Sequence, residues 1–574
     1  MIDKSGMSVG SQSSLISQTT RFDSRSRHHS NLESKKWGPW CNWSAFGIVN
    51  AAEWVRAPLV PPIFITLYFP AHMNTKDLIK AGYRPGPQID DMLAMIADLN
   101  SRGIISRKYI FKLLKREFGD PPPLFAMREK PASCSEAIHA ENKEEKENLT
   151  KVRAKMAELL RAPIISGGAL MPDACPTGPA RADIPVGGVI AVENAIIPSA
   201  HSADICCSMF ATFYQPRTTV EAELDALTTS TRFGPGGRHY DGLVHHPVLD
   251  EPIWENKFLK SLKERAIIHI ADQGDGNHFC FIGELEITDE LATQFQNAGH
   301  NLFPNYRGKI RALITHHGSR SLGSHLYKRG LDAAIKQTAK RADNIPREAA
   351  WLDADSPDGQ DYWEALQYVS RWTRANHEAI HNRFLDRIGA EAVETIGNEH
   401  NFVWKRGTTY YHGKGATPAW KDDQDRPLLG LIPLNMAEPI LLVLGNDNPE
   451  FHSFAPHGAG RNLSRTALLK QHRGADHRRH LIEHQARNID LRWFNGKPDL
   501  SETPLAYKNP ESIKKQIKQF NLATIVAEIT PLGTIMAGGK KRRDEEDLTP
   551  KQIRQMSHRK NRRREKQNLN PNNY

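Results

Sequence analysis

PHGAGRNLSR, Pro456–Arg465, packs a histidine, a Gly-Ala-Gly turn and two arginines into ten residues. A turn of this composition can aim successive backbone N–H groups at one point, and such a concavity binds anions. Gly458, Ala459 and Gly460 are therefore expected to face a bound anion. Arg461 and Arg465 stand four apart. On a helix they share a face and offer two guanidinium forks to phosphate oxygens. His457, held beside phosphates, can attack phosphorus and carry a covalent intermediate. Its rival role is that of a metal ligand.

Working outward, four other stretches carry metal-ligand residue types. SADICCSM places Asp204 and Cys207 three apart. A carboxylate and a thiolate together hold a borderline divalent ion, and a thiolate can bridge two. ADQGDGNHFCF sets Asn277 and His278 after a Gly-x-Gly turn, at the rim of an apolar run. ITHHGSRSLG ends an apolar run on His316 and continues into a Gly/Ser/Arg loop. NEHNFVWKR carries His400, and the following YYHGKGATPAW brings His412, Lys414 and Thr417 to a glycine-rich turn. Taken singly, each reads first as a buried cysteine or a core histidine. Taken together they predict one or two divalent ions beside phosphate-binding loops. Cys and His ligands favour Zn or Mn over Mg. Phosphoryl or nucleotidyl transfer is the chemistry that suits them.

The 574-residue chain is 39% hydrophobic and 25% charged, enough for a sizeable core. No apolar run is long enough for a membrane span, and the first residues lack the order of a secretion signal. A cytoplasmic protein is expected. Six cysteines without a CxxC pair argue against a disulfide framework. The formal net charge is +10, and from Lys540 onward twelve Lys/Arg face five Asp/Glu. Such a tail suits a polyanion.

The expected organisation is a disordered segment over 1–38, a helical extension over 39–136 with an RNA contact, and a charged linker or helix over 137–160. A catalytic domain over 161–539 and a basic disordered tail over 540–574 follow. In the extension, Asn74 caps a short helix, Pro85-Gly86-Pro87 interrupts, and IDDMLAMIADL has helical apolar spacing. From about 160 to 540 the pattern mixes strands and helices without repeating βαβ units. No GxxxxGK[ST] is present and no GxGxxG follows a strand.

The succession GGV…P…DICC, GDGNHF, HHGSRSLG, EHN, KGATPA and HGAGRNLSR resembles the RtcB family of RNA-splicing ligases, from about residue 170 to about 538. The resemblance implies an α+β chain with a mixed α/β catalytic fold, its metal and nucleotide site at strand ends and loops. It implies a ligase that uses GTP and two Mn ions to join a 2′,3′-cyclic or 3′-phosphate RNA end to a 5′-hydroxyl end. It further implies His457 as the histidine that becomes guanylylated, and Asp204, Cys207, His278, His316 and His400 as metal ligands with Cys207 bridging. Asn277 would position the nucleotide phosphates. Arg461, Ser464 and Arg465 would form the phosphate-binding turn, with Lys414 and Asn435 as further nucleotide contacts. RNA repair or tRNA splicing would be the setting, and a ribosome or an activating protein are further partners that the basic tail would suit.

Several positions depart from the family pattern. MPDACPTG keeps Asp173 but has Cys175 where the family has histidine, and Cys206 replaces an asparagine. Phe281 stands where a glutamate is common, PLNMA (Pro433–Ala437) replaces a Pro-Gly-Ser-Met-Gly loop near the guanine, and Ala537 replaces a lysine that contacts the base. The alternative expectation is thus a metal-dependent cyclic phosphodiesterase, or a nucleotidyltransferase with altered base specificity, acting on RNA ends.

Overall fold

Two neighbouring strands set the frame. Ser208–Tyr214 (SMFATFY) and Gly308–His317 (GKIRALITHH) are rich in aromatic and β-branched residues and are buried along most of their length. Such runs belong at the centre of a sheet covered on both faces. They pair antiparallel, with Met209 opposite His316. In the computed structural model, which describes residues 73–83, 86–119, 125–472, 474–486 and 488–539, they sit inside an antiparallel sheet. Its order is Ala392–Glu399, Ser208–Tyr214, Gly308–His317, Phe279–Ile287, Ala523–Met536, Ile440–Gly445, Leu429–Pro433. Asp490–Trp493 adds to Ala523–Met536 in parallel. The two outer strands approach each other: the Asn398 side chain accepts from Leu431 N (2.8 Å) and donates to Leu431 O (3.4 Å). The sheet is a nearly closed barrel, and the fold is mixed α/β as the resemblance implies.

A second sheet orders Cys134–Glu136, Ile165–Cys175, Val186–Glu193, Thr409–Lys414 and Asn401–Arg406. The chain crosses from the first sheet to the second between Glu399 and Asn401, which leaves His400 at the corner. The helix Pro357–Ile388 is 32 residues long, capped by Ser356, whose side chain accepts from Gly359 N, and stopped by Gly389 in the left-handed region. It buries Leu366, Val369, Trp372, Ile380 and Phe384 in the largest core cluster.

Of the charged linker or helix expected over 137–160, the structure has the helix, and its burial adds to that reading. Lys143–Leu159 is a helix, but Leu149, Val152, Met156 and Leu159 form a buried stripe among its charges and join that same core. Cys134–Glu136 pairs with Ile165–Cys175. The largest core cluster and the second sheet thus draw on residues before 161. Helices Thr75–Lys80, Pro87–Ser101 and Arg107–Phe118 share a separate small core. Asn74 and Asp77 form a capping box, and Pro87 opens the second helix. The expected disordered segments 1–38 and 540–574 lie outside the described residues. Among the described residues no helix is long and apolar enough to cross a membrane.

Candidate active site

The loop that enters Ser208–Tyr214 carries Asp204 and Cys207. Between them Cys206 has φ 56°, a left-handed conformation that a cysteine rarely adopts and an asparagine tolerates. This twist buries the Cys206 side chain in the core and turns Cys207 the other way, towards the site. Backbone bonds fix the loop to its neighbours: Cys206 N donates to Asn401 O (2.8 Å) and His400 N to Cys207 O (2.9 Å). His278 precedes the strand Phe279–Ile287, and His316 faces Phe279 across the ladder. Three adjacent strand ends and one inter-sheet corner thus bring five expected ligands together.

Two triads result. Cys207, His316 and His400 offer donor atoms within 4.8 Å of one another, and so do Asp204, Cys207 and His278. Cys207 belongs to both. Its Sγ lies 3.3 Å from His316 Nε2 and 3.6 Å from His278 Nε2. His316 Nε2 is 3.2 Å from His400 Nε2, and His278 Nε2 is 2.9 Å from Asp204 Oδ2. His316 Nδ1 donates to Asn277 O at 3.3 Å, so its Nε2 lone pair points at Cys207 and His400. Burial, reinforced by His278 and His457, lowers the His316 pKa to about 3, and burial lowers that of His400 well below 6.5. Both imidazoles are neutral and present lone pairs. Burial opposes the Asp204 carboxylate, but the charge and hydrogen bond of His278 hold its pKa down to about 2. Burial and Asp204 push the Cys207 thiol far up. Converging lone pairs of S, N and O, in two groups that share Cys207, fit a divalent cation, and a cation would reverse the thiol's preference.

His457 stands beside the first triad, its ring centroid 4.8 Å from that of His400. Its Nδ1 donates to Asp173 Oδ2 at 2.6 Å. Asp173 is fully buried on the strand Ile165–Cys175. The bond fixes the tautomer and leaves Nε2 with a free lone pair. The local backbone enforces this contact. Gly460 has φ +70°, and any Cβ there would collide with the Asp173 carbonyl. A Cβ on Gly415, also at positive φ, would come within 2.9 Å of the His457 ring.

A cavity of about 210 Å³ opens on His457 and His316. Asn277, Asn435, Gly458, Ala459, Gly460, Arg461 and Arg465 line it, with Cys175, Phe279, Leu434, Met436, Glu502, Tyr507 and Met536. Two expected nucleotide contacts lie elsewhere. Lys414 Nζ is bound to Asp183 Oδ1 (3.2 Å) and Ile184 O (3.0 Å), and does not line the cavity. Ser464 caps the helix Arg465–Gln471 by accepting from Ala467 N. That cap starts the helix after Arg461, so the two arginines do not share a helical face. They meet instead at Glu502: Arg465 Nε donates to Oε1 at 2.6 Å and Arg461 Nη1 lies 3.5 Å from Oε2. Tyr507 Oη donates to the same Oε2 at 3.1 Å. Asp173, Glu502 and Tyr507 are the residues that sequence reasoning left without a role. MPDA was a signal for the first; LSETPLAY gives none for the others.

Behind the candidate metal ligands runs a buried chain of hydrogen bonds. Ser208 Oγ, His377, Thr315 Oγ1, His381 and Thr212 Oγ1 connect in that order at 2.9, 2.6, 2.8 and 2.7 Å. It ties the helix Pro357–Ile388 to the strand that follows Cys207 and to the strand that bears His316.

Comparison with known proteins agrees with this geometry. The family model "tRNA-splicing ligase RtcB" matches residues 251–537, half of the chain. The tRNA-splicing ligases RtcB of Pyrococcus abyssi and Thermococcus kodakarensis are each 27% identical, over 306 and 301 residues. Each match covers 47% of this chain, and 32% and 60% of the relative. The RNA-splicing ligase RtcB of Mycobacterium bovis is 28% identical over 296 residues, 47% of this chain and 66% of its own length. The chain thus spans from a third to just under two thirds of these curated relatives. Asp173, Asp204 and Cys207 precede the segment matched by the family model, and the fold delivers them to it. On that match the protein belongs to the RtcB family of RNA ligases.

Proposed function

We propose that this protein is a metal- and nucleotide-dependent RNA ligase that joins a 2′,3′-cyclic or 3′-phosphate end to a 5′-hydroxyl end, with GTP as the nucleotide and two Mn ions. One observation carries the reading: two ligand triads share Cys207, and an Asp173-held histidine stands next to them. The ions, when bound by Asp204, Cys207, His278, His316 and His400, would offset phosphate charge and act as Lewis acids. The other steps belong to the chain's own residues. Asp173 holds the His457 proton on Nδ1, so Nε2 can attack the α-phosphorus. An N–P bond forms, the bond from that phosphorus to the bridging oxygen breaks, and pyrophosphate leaves. The Gly458–Gly460 turn, Arg461 and Arg465 face the phosphates, and Asn277 positions them. The RNA 3′-phosphate then takes GMP from His457, and the 5′-hydroxyl attacks that activated phosphate and displaces GMP. A cyclic end must first be opened by water to the 3′-phosphate.

The cavity favours looser base choice than strict guanine use. Its one carboxylate, Glu502, is engaged by Arg461, Arg465 and Tyr507, and Asn435 Oδ1 accepts from Ala437 N at 3.0 Å. Leu434, Met436, Phe279 and Met536 supply apolar walls. ATP would therefore substitute better than in a pocket with a free carboxylate for the guanine N–H groups. The setting would be RNA repair or tRNA processing in the cytoplasm, where thiols such as the five free described cysteines stay reduced. The basic stretch after Lys540 would add sequence-independent attraction to RNA or a ribosome. The test is sealing of two RNA fragments with matched ends, in Mn with GTP or ATP. Joining of 3′-phosphate to 5′-hydroxyl, and not of 3′-hydroxyl to 5′-phosphate, is expected. Opening of cyclic phosphates without joining would favour the phosphodiesterase reading.

A further inference from the structure

The three helices between Met73 and Gly119 lie outside the segment matched by the family model and have their own core. Leu78, Met92, Ile96, Ile110 and Leu114 close it. The third helix, RKYIFKLLKREF, is polarised. Ile110 and Leu114 are buried, while Lys108, Lys112 and Arg116 are exposed and recur every four residues. Residues four apart stack on one helical face. The stripe is about 12 Å long at 1.5 Å per residue. Tyr109 stands beside it and is 48% exposed. Arg107 is neutralised by Asp77, but among the described residues Lys108, Lys112 and Arg116 are in no ion pair. The helix has a single acid, Glu117.

We infer that this helix face docks RNA, with the three cations on consecutive backbone phosphates and Tyr109 stacked on an unpaired base. A row of unpaired cations flanked by one aromatic ring is what a single strand requires: charge along the backbone and a π-face for a base. Among the described residues of this unit, Ile79, Ile105 and Tyr109 are the exposed large apolar side chains, too little area to enter a lipid surface. The choice of RNA among polyanions rests on the ligase reading above.

The experiment reverses the charges in the full chain with Lys108→Glu, Lys112→Glu and Arg116→Glu together. Affinity for a stem-loop RNA with an unpaired tail is measured between about 50 and 200 mM salt. Three lost phosphate contacts lower the log–log salt slope by about 2 and weaken binding at least about tenfold at low salt. Tyr109→Ala weakens binding to the tail about tenfold with the slope unchanged. A control with Lys328→Glu, Lys336→Glu and Lys340→Glu carries the same charge change on other exposed residues and keeps the wild-type slope. Unchanged affinity and slope in the first variant overturn the inference, as does an equal loss in the control. So does loss of binding to vesicles of anionic lipid with RNA binding intact. Covalent nucleotide capture by the same variants stays at the wild-type level; failure of capture in the unmodified chain would strike the ligase reading and leave this RNA measurement standing.

Discussion

Asp173 and Cys207 show how single residues set the chemistry. The 2.6 Å bond from His457 Nδ1 to Asp173 orients the imidazole from beneath. Asp173→Asn keeps the shape but removes the negative acceptor. Orienting partners of this kind are worth about 10–100-fold, so nucleotide capture should slow by that factor while metal content is unchanged. A wild-type rate would remove Asp173 from the mechanism. Cys207 lies in both triads, so Cys207→Ala should lose metal and activity together, with elemental analysis as the check. Unchanged metal content would contradict the bridging role. Much of this was legible in the sequence, because Asp-x-x-Cys, Asn-His and His-Gly are chemically loaded pairs. The grip of Glu502 on Arg461 and Arg465 was not, because it depends on a helix starting at Arg465, which only the Gly460 turn and the Ser464 cap decide.

Elements hold these residues in register. The hydrogen-bonded chain through His377, Thr315 and His381 links the long helix to the strands Ser208–Tyr214 and Gly308–His317. Thr315→Val removes the central hydroxyl and leaves two buried imidazole nitrogens without a partner. Each orphaned group costs about 1–3 kcal/mol, so unfolding free energy should fall by about 2–6 kcal/mol. Urea unfolding measures it, and a loss below about 0.5 kcal/mol would mean the chain is not structural. The histidines of this helix read as ordinary members of a periodic segment; their partners sit more than sixty residues away in sequence and were invisible there. The helix Lys143–Leu159 teaches the same lesson in reverse. Its charges dominate the composition, but four apolar positions at helical spacing decide its place in the core.

At the scale of the molecule, buried neutral histidines make the fold sensitive to acid. Burial lowers the pKa of His381 and His412 to about 3 and that of His201 to about 4. In the unfolded chain each would titrate near 6.5. Their contribution is whole above about 6.5 and is lost as pH falls towards their folded values, because the unfolded chain then binds more protons. Each loses about 1.4 kcal/mol per pH unit, and three together about 4 kcal/mol per unit. Against a typical stability of about 5–15 kcal/mol, cooperative unfolding is expected between about pH 4 and 5. Full stability at pH 3 by circular dichroism would contradict it. The distribution of motifs along the chain announced this family and its mixed architecture, but not the near closure of the barrel, which rests on the Asn398 side chain and on pairings distant in sequence.

The central claim is nucleotidyl transfer through His457 beside a shared-thiolate metal pair. It is tested most directly by incubating the purified protein with Mn and α-labelled GTP or ATP, beside His457→Ala, and separating the products on a denaturing gel. A covalent label that needs both Mn and His457, while the variant still binds metal, is the predicted result, and the preferred nucleotide names the base. A label that persists in His457→Ala, or none from either nucleotide on metal-loaded protein, would contradict it.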